Sequence, residues 1–398
     1  AIQAADLDAQ RIDGTRVYIH NLLKYFGKLD SSSQFLIYHK SEFNPELVPP
    51  DFPNYKIIAK PLRHLWTQTL FAKNLWKDEP DVLWMPMHNM PILRRKGMKT
   101  VVTIHDLAFK YFPETFTRKD LFKINLLTKL AVTAADKIIT ISESSKRDIL
   151  KFYPQVKPEN IKVIYHGFDG EVYEKERDIA KEEEIKKKYN ISGDYILYIG
   201  AIQPRKNLGV LIEAFEKVKS NCYSGLSASL AGGDLESSLE TSNNSLDSRL
   251  RGNDKLKLVL AGEHAWLSGG VFEKIKNSPH KNDIITPGRV DFEPLGHLLR
   301  GAKVFVFPSL YEGFGIPILE AFASRVPVIC SKNSSLPEVG GAAALYFENN
   351  NVQDLAQKIE NIISDKNLRD EHVAKGLEQI KKFSWEKCAK ETLEYLKN

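Results

Sequence analysis

The sequence predicts an α/β fold with two domains, each built around a parallel sheet. The chain has 398 residues, which is too long for one ordinary hydrophobic core and long enough for two. Short apolar segments alternate with amphipathic ones along it, as strands and helices do in parallel α/β units. The hydrophobic fraction of 42% and the charged fraction of 27% are typical of a globular protein.

The predicted elements follow the chain in order. In the first half, strands are expected at 34–38, 82–84, 100–104, 137–141 and 162–165, and helices at 17–26 and 119–135. In the second half, strands are expected at 195–199, 256–261, 304–307, 326–330 and 344–347, and helices at 207–218, 295–300, 315–323 and 352–364. We therefore predict a first domain at 1–170, a second at 171–380 and a last helical segment at 381–398. The charged stretch 173–189 is expected near the hinge.

One segment interrupts this alternation. Residues 220–254 are rich in Ser, Gly and Asn and separate a helix from the next strand, a connection that normally needs only a few residues. We interpret them as a disordered surface insertion. A partner-binding loop is the alternative.

Charge and cysteine content limit the class of protein. Residues 1–170 carry 25 Lys and Arg against 18 Asp and Glu, whereas residues 171–398 carry 31 against 33. The basic first half suggests an anionic partner such as a membrane surface or a phosphorylated acceptor, and an ordinary solvated surface is the alternative. Nucleic acid is disfavoured because no aromatic stacking motif or zinc finger accompanies the charge. Three widely spaced cysteines predict neither a disulfide framework nor a zinc site and indicate a reducing cytoplasm.

The strongest chemical signal follows the predicted strand 304–307. Residues 308–321 read PSLYEGFGIPILEA, a glycine-containing turn and then a helix with Pro317 in its first turn. Free N–H groups at a helix start suit a diphosphate, and Gly313 and Gly315 let the backbone approach it closely. Glu312 and Glu320 are then interpreted as acceptors for sugar and ribose hydroxyls. Two solvated helix carboxylates are the alternative.

Three further segments lie where a predicted strand or loop meets a helix. Gly200 precedes the adjacent cations Arg205 and Lys206, which can neutralise a departing diphosphate without a metal ion. Their place at the carboxyl end of a strand favours this function over a solvated surface pair. His105 ends the strand 100–104 and can contact a sugar, although an isolated histidine is more often a core residue. Gly14 opens a helix and is a weak signal alone.

Together these segments resemble the retaining glycosyltransferases of family 4, which have the GT-B architecture: two Rossmann-like domains facing each other across a cleft. The resemblance rests on the two glutamates eight residues apart, the loop 204–207 (PRKN), the strand end at His105, and the segments 135–145 and 165–169. It covers nearly the whole chain apart from the insertion.

The resemblance implies a role for each residue. Arg205 and Lys206 bind the donor diphosphate, Glu312 faces the donor sugar, and Glu320 holds the ribose. The remaining donor-binding positions are Gly14 in a loop that closes over the phosphates, Gly200, and the backbone of Gly313, Phe314, Gly315 and Ile316. His105 is implied as the catalytic residue of the first domain, with Glu312, Arg205 and Lys206 also in the catalytic set. The family usually has two glycines near position 14, where this chain has one. The final helix is implied to cross back to the first domain.

The expected reaction is transfer of a sugar from a nucleotide-diphosphate donor to a hydroxyl, with neither metal nor other cofactor. The run 105–114 resembles bacterial mannosyltransferases, so GDP-mannose is the favoured donor and a UDP-sugar the alternative. The expected acceptor is a glycan or lipid-linked oligosaccharide in cell-surface polysaccharide synthesis. The enzyme is expected in the cytoplasm, with peripheral contact to the inner face of the membrane through the basic first domain, and without nucleic acid.

Other functions remain open. A dehydrogenase would need a Gly-x-Gly-x-x-Gly turn after a strand, which the sequence lacks. The string Asp6-Leu7-Asp8 precedes the first helix, away from where a metal-dependent transferase would need an Asp-x-Asp pair. A sugar-nucleotide epimerase with the same architecture and a non-catalytic sugar-nucleotide-binding protein are the remaining alternatives.

Overall fold

The computed structural model describes residues 1–61, 65–230, 255–265 and 267–398, and of 221–230 the backbone alone. These residues divide into two compact units, Ala1–Phe168 with Phe383–Asn398, and Asp169–Lys382. The predicted domain boundaries at 170 and 380 differ from these limits by two residues each.

The first unit contains a seven-stranded parallel sheet in the order β3-β2-β1-β4-β5-β6-β7. Its strands are β1 (Ile2–Gln3), β2 (Phe35–His39), β3 (Tyr55–Ala59), β4 (Val82–Met85), β5 (Lys99–Ile104), β6 (Lys137–Thr140) and β7 (Ile161–Val163). Its helices are α1 (Gly14–Leu29), α2 (Leu70–Asp78), α3 (Ala108–Tyr111), α4 (Arg118–Ala134) and α5 (Glu143–Phe152). The core lies where strand residues such as Val102 and Ile138 meet helix residues such as Ala131 and Ile149, all of them buried.

The second unit contains a six-stranded parallel sheet in the order β10-β9-β8-β11-β12-β13. Its strands are β8 (Tyr195–Ile199), β9 (Lys257–Ala261), β10 (Ile284–Gly288), β11 (Val304–Phe307), β12 (Val328–Ser331) and β13 (Leu345–Phe347). Its helices are α6 (Gly170–Tyr173), α7 (Ile179–Lys188), α8 (Leu208–Leu230), α9 (Gly269–Asn277), α10 (Phe292–Gly301), α11 (Ile316–Ala323), α12 (Leu336–Gly340), α13 (Val352–Ser364) and α14 (Lys366–Ile380). The central strands β8 and β11 are buried along their whole length, as a sheet covered on both faces requires.

The last helix, α15 (Trp385–Lys397), belongs to the first unit. It begins against Gly167, where a Cβ would lie only 2.1 Å from the backbone nitrogen of Trp385, so glycine permits the approach. The Trp385 ring packs against His166 with centroids 5.3 Å apart. Near the other end, Lys397 Nζ lies 2.9 Å from a carboxylate oxygen of Asp30. The helix is therefore tied to the first unit at both ends.

The predicted insertion at 220–254 is only partly within the described residues. Helix α8 continues to Leu230, so the backbone of the first residues of this stretch is helical. Residues 220–230 are rich in Ser but contain no proline, the residue that would force the helix to end at 219. Residues 231–254 lie outside the described part of the chain.

Candidate active site

A turn between β11 and α11 forms the centre of the candidate site. The backbone at Gly315 is left-handed (φ 118°), and Gly315 is the N-cap of α11. Glycine adopts this conformation without strain. Gly315 has no side chain with which to cap the helix, Pro317 has no N–H, and the N–H of Ile318 donates to the carbonyl oxygen of Gly315 over 3.0 Å. The N–H groups that can bind an anion at this helix start are therefore those ahead of Pro317, and the helix dipole reinforces such binding. The predicted diphosphate-binding turn thus has a suitable conformation.

Hydrogen bonds to the next loop hold this turn. The Ser335 hydroxyl lies 3.0 Å from the carbonyl oxygen of Glu312 and 2.7 Å from that of Phe314, and is placed to donate to them. The backbone N–H of Glu312 donates to Ser334 Oγ over 2.9 Å. Gly313 and Phe314 are buried within the same turn. The loop after β12 therefore fixes where the Glu312 carboxylate points.

Both predicted cations lie against this turn. Residues 204–206 form a short 3₁₀ turn after β8, and the carbonyl oxygen of Arg205 accepts a 2.9 Å hydrogen bond from the N–H of Leu310. Arg205 Nη1 donates to the carbonyl oxygen of Tyr311 over 2.7 Å. The two strand ends, about a hundred residues apart in sequence, are thus joined at the carboxyl edge of the sheet, where open α/β sheets bind ligands.

Glu312 pairs with both cations. Lys206 Nζ forms an ion pair with one carboxylate oxygen of Glu312, and Arg205 Nη1 lies 3.3 Å from the other. Burial alone would raise the pKa of Glu312, but the two cations outweigh it and hold that pKa below its ordinary value. Lys206 and Glu312 are buried and Arg205 is partly exposed, and the cluster carries one net positive charge, which suits a polyanionic ligand.

Glu320 differs from Glu312 in its surroundings. It is half-buried in α11, and burial raises its pKa to about 7. The neighbouring hydroxyl of Tyr173 favours the ionised form, and the charge of Asp169 opposes it. Glu320 therefore changes its charge near neutral pH, whereas Glu312 stays ionised.

Gly200 ends the strand β8 in a left-handed conformation (φ 146°). Its N–H donates to the carbonyl oxygen of Ala261 over 2.9 Å, and a Cβ at this position would lie 2.7 Å from the Tyr198 hydroxyl. Glycine is thus explained by backbone strain and close packing, which do not assign it a contact with a donor.

His105 lies in the first unit, after β5, and is buried. Its Nε2 lies 2.8 Å from the carbonyl oxygen of Pro86, so that nitrogen carries the proton and donates. Burial lowers the pKa of His105, although the Pro86 carbonyl and nearby acidic side chains including Asp106 oppose this. Because the Nε2–H is donated, His105 cannot accept a proton at that nitrogen, so Nε2 orients the ring and does not act as a base.

Gly14 also lies in the first unit, at the start of α1. Its φ is outside the left-handed region, and a Cβ would meet no atom of the described residues within 4 Å. The helix is capped by Asp13, whose carboxylate accepts the N–H of Arg16 over 3.3 Å. Nothing in this geometry requires glycine at position 14.

Sequence reasoning did not identify three residues of these surroundings. Ser334 and Ser335 hold the Glu312 turn, and Tyr173 lies beside Glu320. Two serines before a short helix, and a tyrosine after a charged segment, are too common in sequences to indicate a site. Only the fold brings them there.

The described part of the chain contains neither a metal-binding cluster nor a membrane-spanning helix. Within that part of the chain, no group of three or more His, Cys, Asp and Glu side chains is arranged to hold a metal ion. None of its helices combines the length and the apolar composition needed to cross a membrane.

Two family models match the chain, one in each unit. Residues 12–172 match the model described as Glycosyltransferase Family 4, and residues 245–379 match that described as Glycosyl transferases group 1. The second match contains Glu312, Glu320 and the turn between them.

Similar proteins include two curated mannosyltransferases of Escherichia coli. The O-antigen chain mannosyltransferase B is 28% identical over 74% of this chain and 69% of its own length. The serotype-specific mannosyltransferase WbdA is 28% identical over 77% of this chain, which spans only 33% of that longer protein.

A solved structure, that of Anabaena Alr3699/HepE in complex with UDP and glucose, superposes with a TM-score of 0.69 at 15% identity. The superposition covers 100% of this chain and 98% of that one, which shows the fold. The fold and the two family matches agree with the motifs of the sequence. The chain is a GT-B-fold glycosyltransferase, with a family 4 domain in its first unit and a glycosyl transferases group 1 domain in its second.

Proposed function

We propose that this glycosyltransferase transfers mannose from GDP-mannose, with retention of anomeric configuration, to a hydroxyl of a glycan or lipid-linked acceptor in cell-surface polysaccharide synthesis. The observation that carries the proposal is the ion-pair cluster of Arg205, Lys206 and Glu312 beside the start of α11. Similarity to two mannosyltransferases, one of them acting on an O-antigen chain, supports the sugar and the acceptor class.

In the proposed reaction, the C1–O bond between the sugar and the diphosphate breaks while the acceptor oxygen bonds to the same face of C1. The negative charge that develops on the leaving diphosphate is stabilised by Arg205 and Lys206, with no metal ion. The leaving phosphate oxygen takes the proton of the acceptor hydroxyl. Glu312 contacts the transferred sugar, Glu320 accepts hydroxyl groups of the ribose, and His105 belongs to the catalytic set.

His105 supports retention over inversion. An inverting displacement needs a strong base that removes the acceptor proton from the face opposite the leaving group. The Nε2–H of His105 is donated to Pro86, which leaves only Nδ1 to take up a proton, and burial lowers the pKa of the imidazole and so makes it a weak base. NMR of the anomeric coupling in the product tests the mechanism directly: an α-linked donor should give an α-linked product, and a β-linked product would exclude retention.

A UDP-sugar is the second candidate donor, because a structure with the same fold was determined with UDP and glucose. A thermal-shift series with GDP, UDP and ADP distinguishes the two, since a ligand that binds only the folded protein raises its melting temperature. We expect GDP to give the largest shift. A larger shift in melting temperature with UDP would indicate that the donor is a UDP-sugar and not GDP-mannose.

We further propose a cytoplasmic enzyme whose first unit contacts an anionic membrane surface. Phe122 and Leu126 on α4 are exposed apolar side chains, and so are Ile92 and Leu93 in the loop between β4 and β5. The loop reaches the end of α4, where Arg94 Nη2 donates to the carbonyl oxygen of Ala134 over 2.8 Å. The cations in the same two segments of the chain, 92–96 and 118–129, are Arg94, Arg95, Lys96, Arg118, Lys119, Lys123 and Lys129. Apolar side chains among cations suit the interface of an anionic bilayer.

A further inference from the structure

Four side-chain rings follow one another in the first unit, from the last helix to the motif at His105. The rings of Trp385 and His166 have centroids 5.3 Å apart, and those of His166 and Tyr18 are stacked at 4.8 Å with 27° between their planes. The ring of Tyr18 then meets that of His105 edge to face, at 5.1 Å and 88°. These four residues form the ring stack. Their distances are those of favourable aromatic pairs, so each ring supports the next.

The ring stack is closed to solvent. Each of its four residues is at most 7% exposed. Burial holds the pKa of His166 well below its ordinary value, and the nearby His105 acts in the same direction. Burial lowers the pKa of His105 as well. Both imidazoles are therefore neutral near pH 7, and the contacts within the stack are those between uncharged rings.

Tyr18, in the middle of the ring stack, is tied to the strand that carries His105. Its hydroxyl on α1 lies 3.4 Å from Oγ1 of Thr103, which belongs to β5 and stands two residues before His105. The same Oγ1 accepts a 3.0 Å hydrogen bond from Nε1 of the buried Trp84. Tyr18 is thus held against the end of β5, so a displacement of its ring acts on the site of His105.

The outer end of the ring stack lies where the chain leaves and re-enters the first unit. The chain of this unit stops at Phe168 and resumes at Phe383. Beside these points, the backbone nitrogen of Trp385 would lie only 2.1 Å from a Cβ at Gly167. The two segments are therefore in backbone contact, and Trp385 meets His166 from a fixed backbone position.

The hydrogen bond of His105 does not by itself fix its ring. Nε2 donates to the carbonyl oxygen of Pro86 over 2.8 Å, and a ring held at one atom can still turn about that atom. The rings of Tyr18, at 88°, and of His166, at 5.8 Å and 62°, restrict this turning because both are themselves held. The direction in which Nδ1 of His105 points therefore depends on the ring stack.

We propose that Tyr18, His166 and Trp385 are positioning residues for His105: the ring stack sets the orientation of its imidazole, and the last helix supplies the outermost ring. That this orientation matters for turnover rests on the proposed function. The orientation itself can be measured by NMR with neither donor nor acceptor present.

The test compares variants that keep a ring with variants that lose it. Trp385→Leu removes the outermost ring and should lower kcat by about tenfold to a hundredfold, since a small displacement near the reacting groups has an effect of that order. The KM for the nucleotide sugar should stay as in the parent, because the donor cations lie in the second unit. Trp385→Phe keeps a ring and should restore most of kcat. His166→Leu and His166→Phe should repeat this pattern one ring further in.

Tyr395→Leu is the matched control, because Tyr395 anchors the same helix outside the ring stack. Its hydroxyl donates to the carbonyl oxygen of Asn160 over 2.8 Å, and Lys137 Nζ lies 4.4 Å from its ring centroid. This variant should lower the melting temperature, as Trp385→Leu does, but leave kcat unchanged. Histidine-selective ¹⁵N NMR of the full chain, with the His105 signals assigned from His105→Gln, should show those signals displaced in Trp385→Leu and unmoved in Tyr395→Leu.

The results separate two failures. Parent-like His105 signals in a folded Trp385→Leu would overturn the proposal, and so would an equal displacement of these signals in Tyr395→Leu, which would assign the effect to docking of the whole helix. If Trp385→Leu does not fold, the comparison of His166→Leu with His166→Phe decides in its place. If the His105 signals move as expected while kcat does not change, or if no nucleotide sugar supports transfer, the catalytic role of His105 in the proposed function fails and positioning by the ring stack stands.

Discussion

Replacement of Glu312 by glutamine should destabilise the second unit and make its stability depend more strongly on nucleotide. Glu312 and Lys206 are each about one-tenth exposed, and Arg205 lies 3.3 Å from the same carboxylate. Removing one partner of a buried ion pair costs about 3–5 kcal/mol. Because the amide retains a hydrogen-bonding oxygen, we expect the lower end, about 3 kcal/mol. For a unit of this size, that is a fall of roughly 6–12 °C in melting temperature.

A nucleoside diphosphate should partly reverse this loss, since its phosphates supply the anion that the two cations have lost. Differential scanning fluorimetry should therefore show a larger stabilisation by GDP in Glu312→Gln than in the parent, together with a turnover lower by about 10²–10³-fold, the usual effect of losing one charge-stabilising group. Glu378→Gln, which removes an exposed partner of Lys381, is the control and should change the stability by less than about 1 kcal/mol. A melting temperature equal to that of the parent, or a smaller response to GDP, would refute this account of the cluster.

Three other predictions follow from the same structure. Because the pKa of Glu320 is raised to about 7, its carboxylate gains charge as pH rises from 6 to 8, and donor binding should tighten over that interval. Calorimetry should show this trend in the parent and a weaker, pH-independent affinity in Glu320→Gln. The same pH trend in both proteins would show that Glu320 does not contact the donor. Turnover should be unchanged in EDTA, because Arg205 and Lys206 supply the positive charge that stabilises the leaving diphosphate. A loss of activity in EDTA that Mg²⁺ or Mn²⁺ restores would contradict this. The double variant Phe122→Glu/Leu126→Glu should reduce co-sedimentation with phosphatidylglycerol vesicles by at least about tenfold. The control Ile179→Glu changes an exposed apolar side chain of the second unit and should leave co-sedimentation unchanged. Equal vesicle binding by both variants would place the membrane contact elsewhere.

The alternation of apolar and amphipathic segments was enough to predict the central strands except β1 (Ile2–Gln3), whose two residues are too few to show a pattern. The structure confirms the predicted limits of Tyr195–Ile199 and Val304–Phe307, which are buried along their whole length. Two edge strands were missed. Tyr55–Ala59 alternates weakly because much of it is exposed, and Ile284–Gly288 contains a proline, which an edge strand tolerates because one side needs no partner. Strands without two buried faces leave a weaker pattern in the sequence.

The sequence by itself determined the local features on which the family assignment depends: a glycine turn before a helix, adjacent cations after a strand, and two glutamates at fixed spacing. Each is decided by neighbours in the chain, through backbone conformation and helix geometry. Only the tertiary structure decided that Glu312 pairs with Lys206, which is 106 residues away in sequence. Charge pairing and burial depend on which strand ends lie side by side, and the order of strands in a sheet is set by packing of the whole domain rather than by any local pattern.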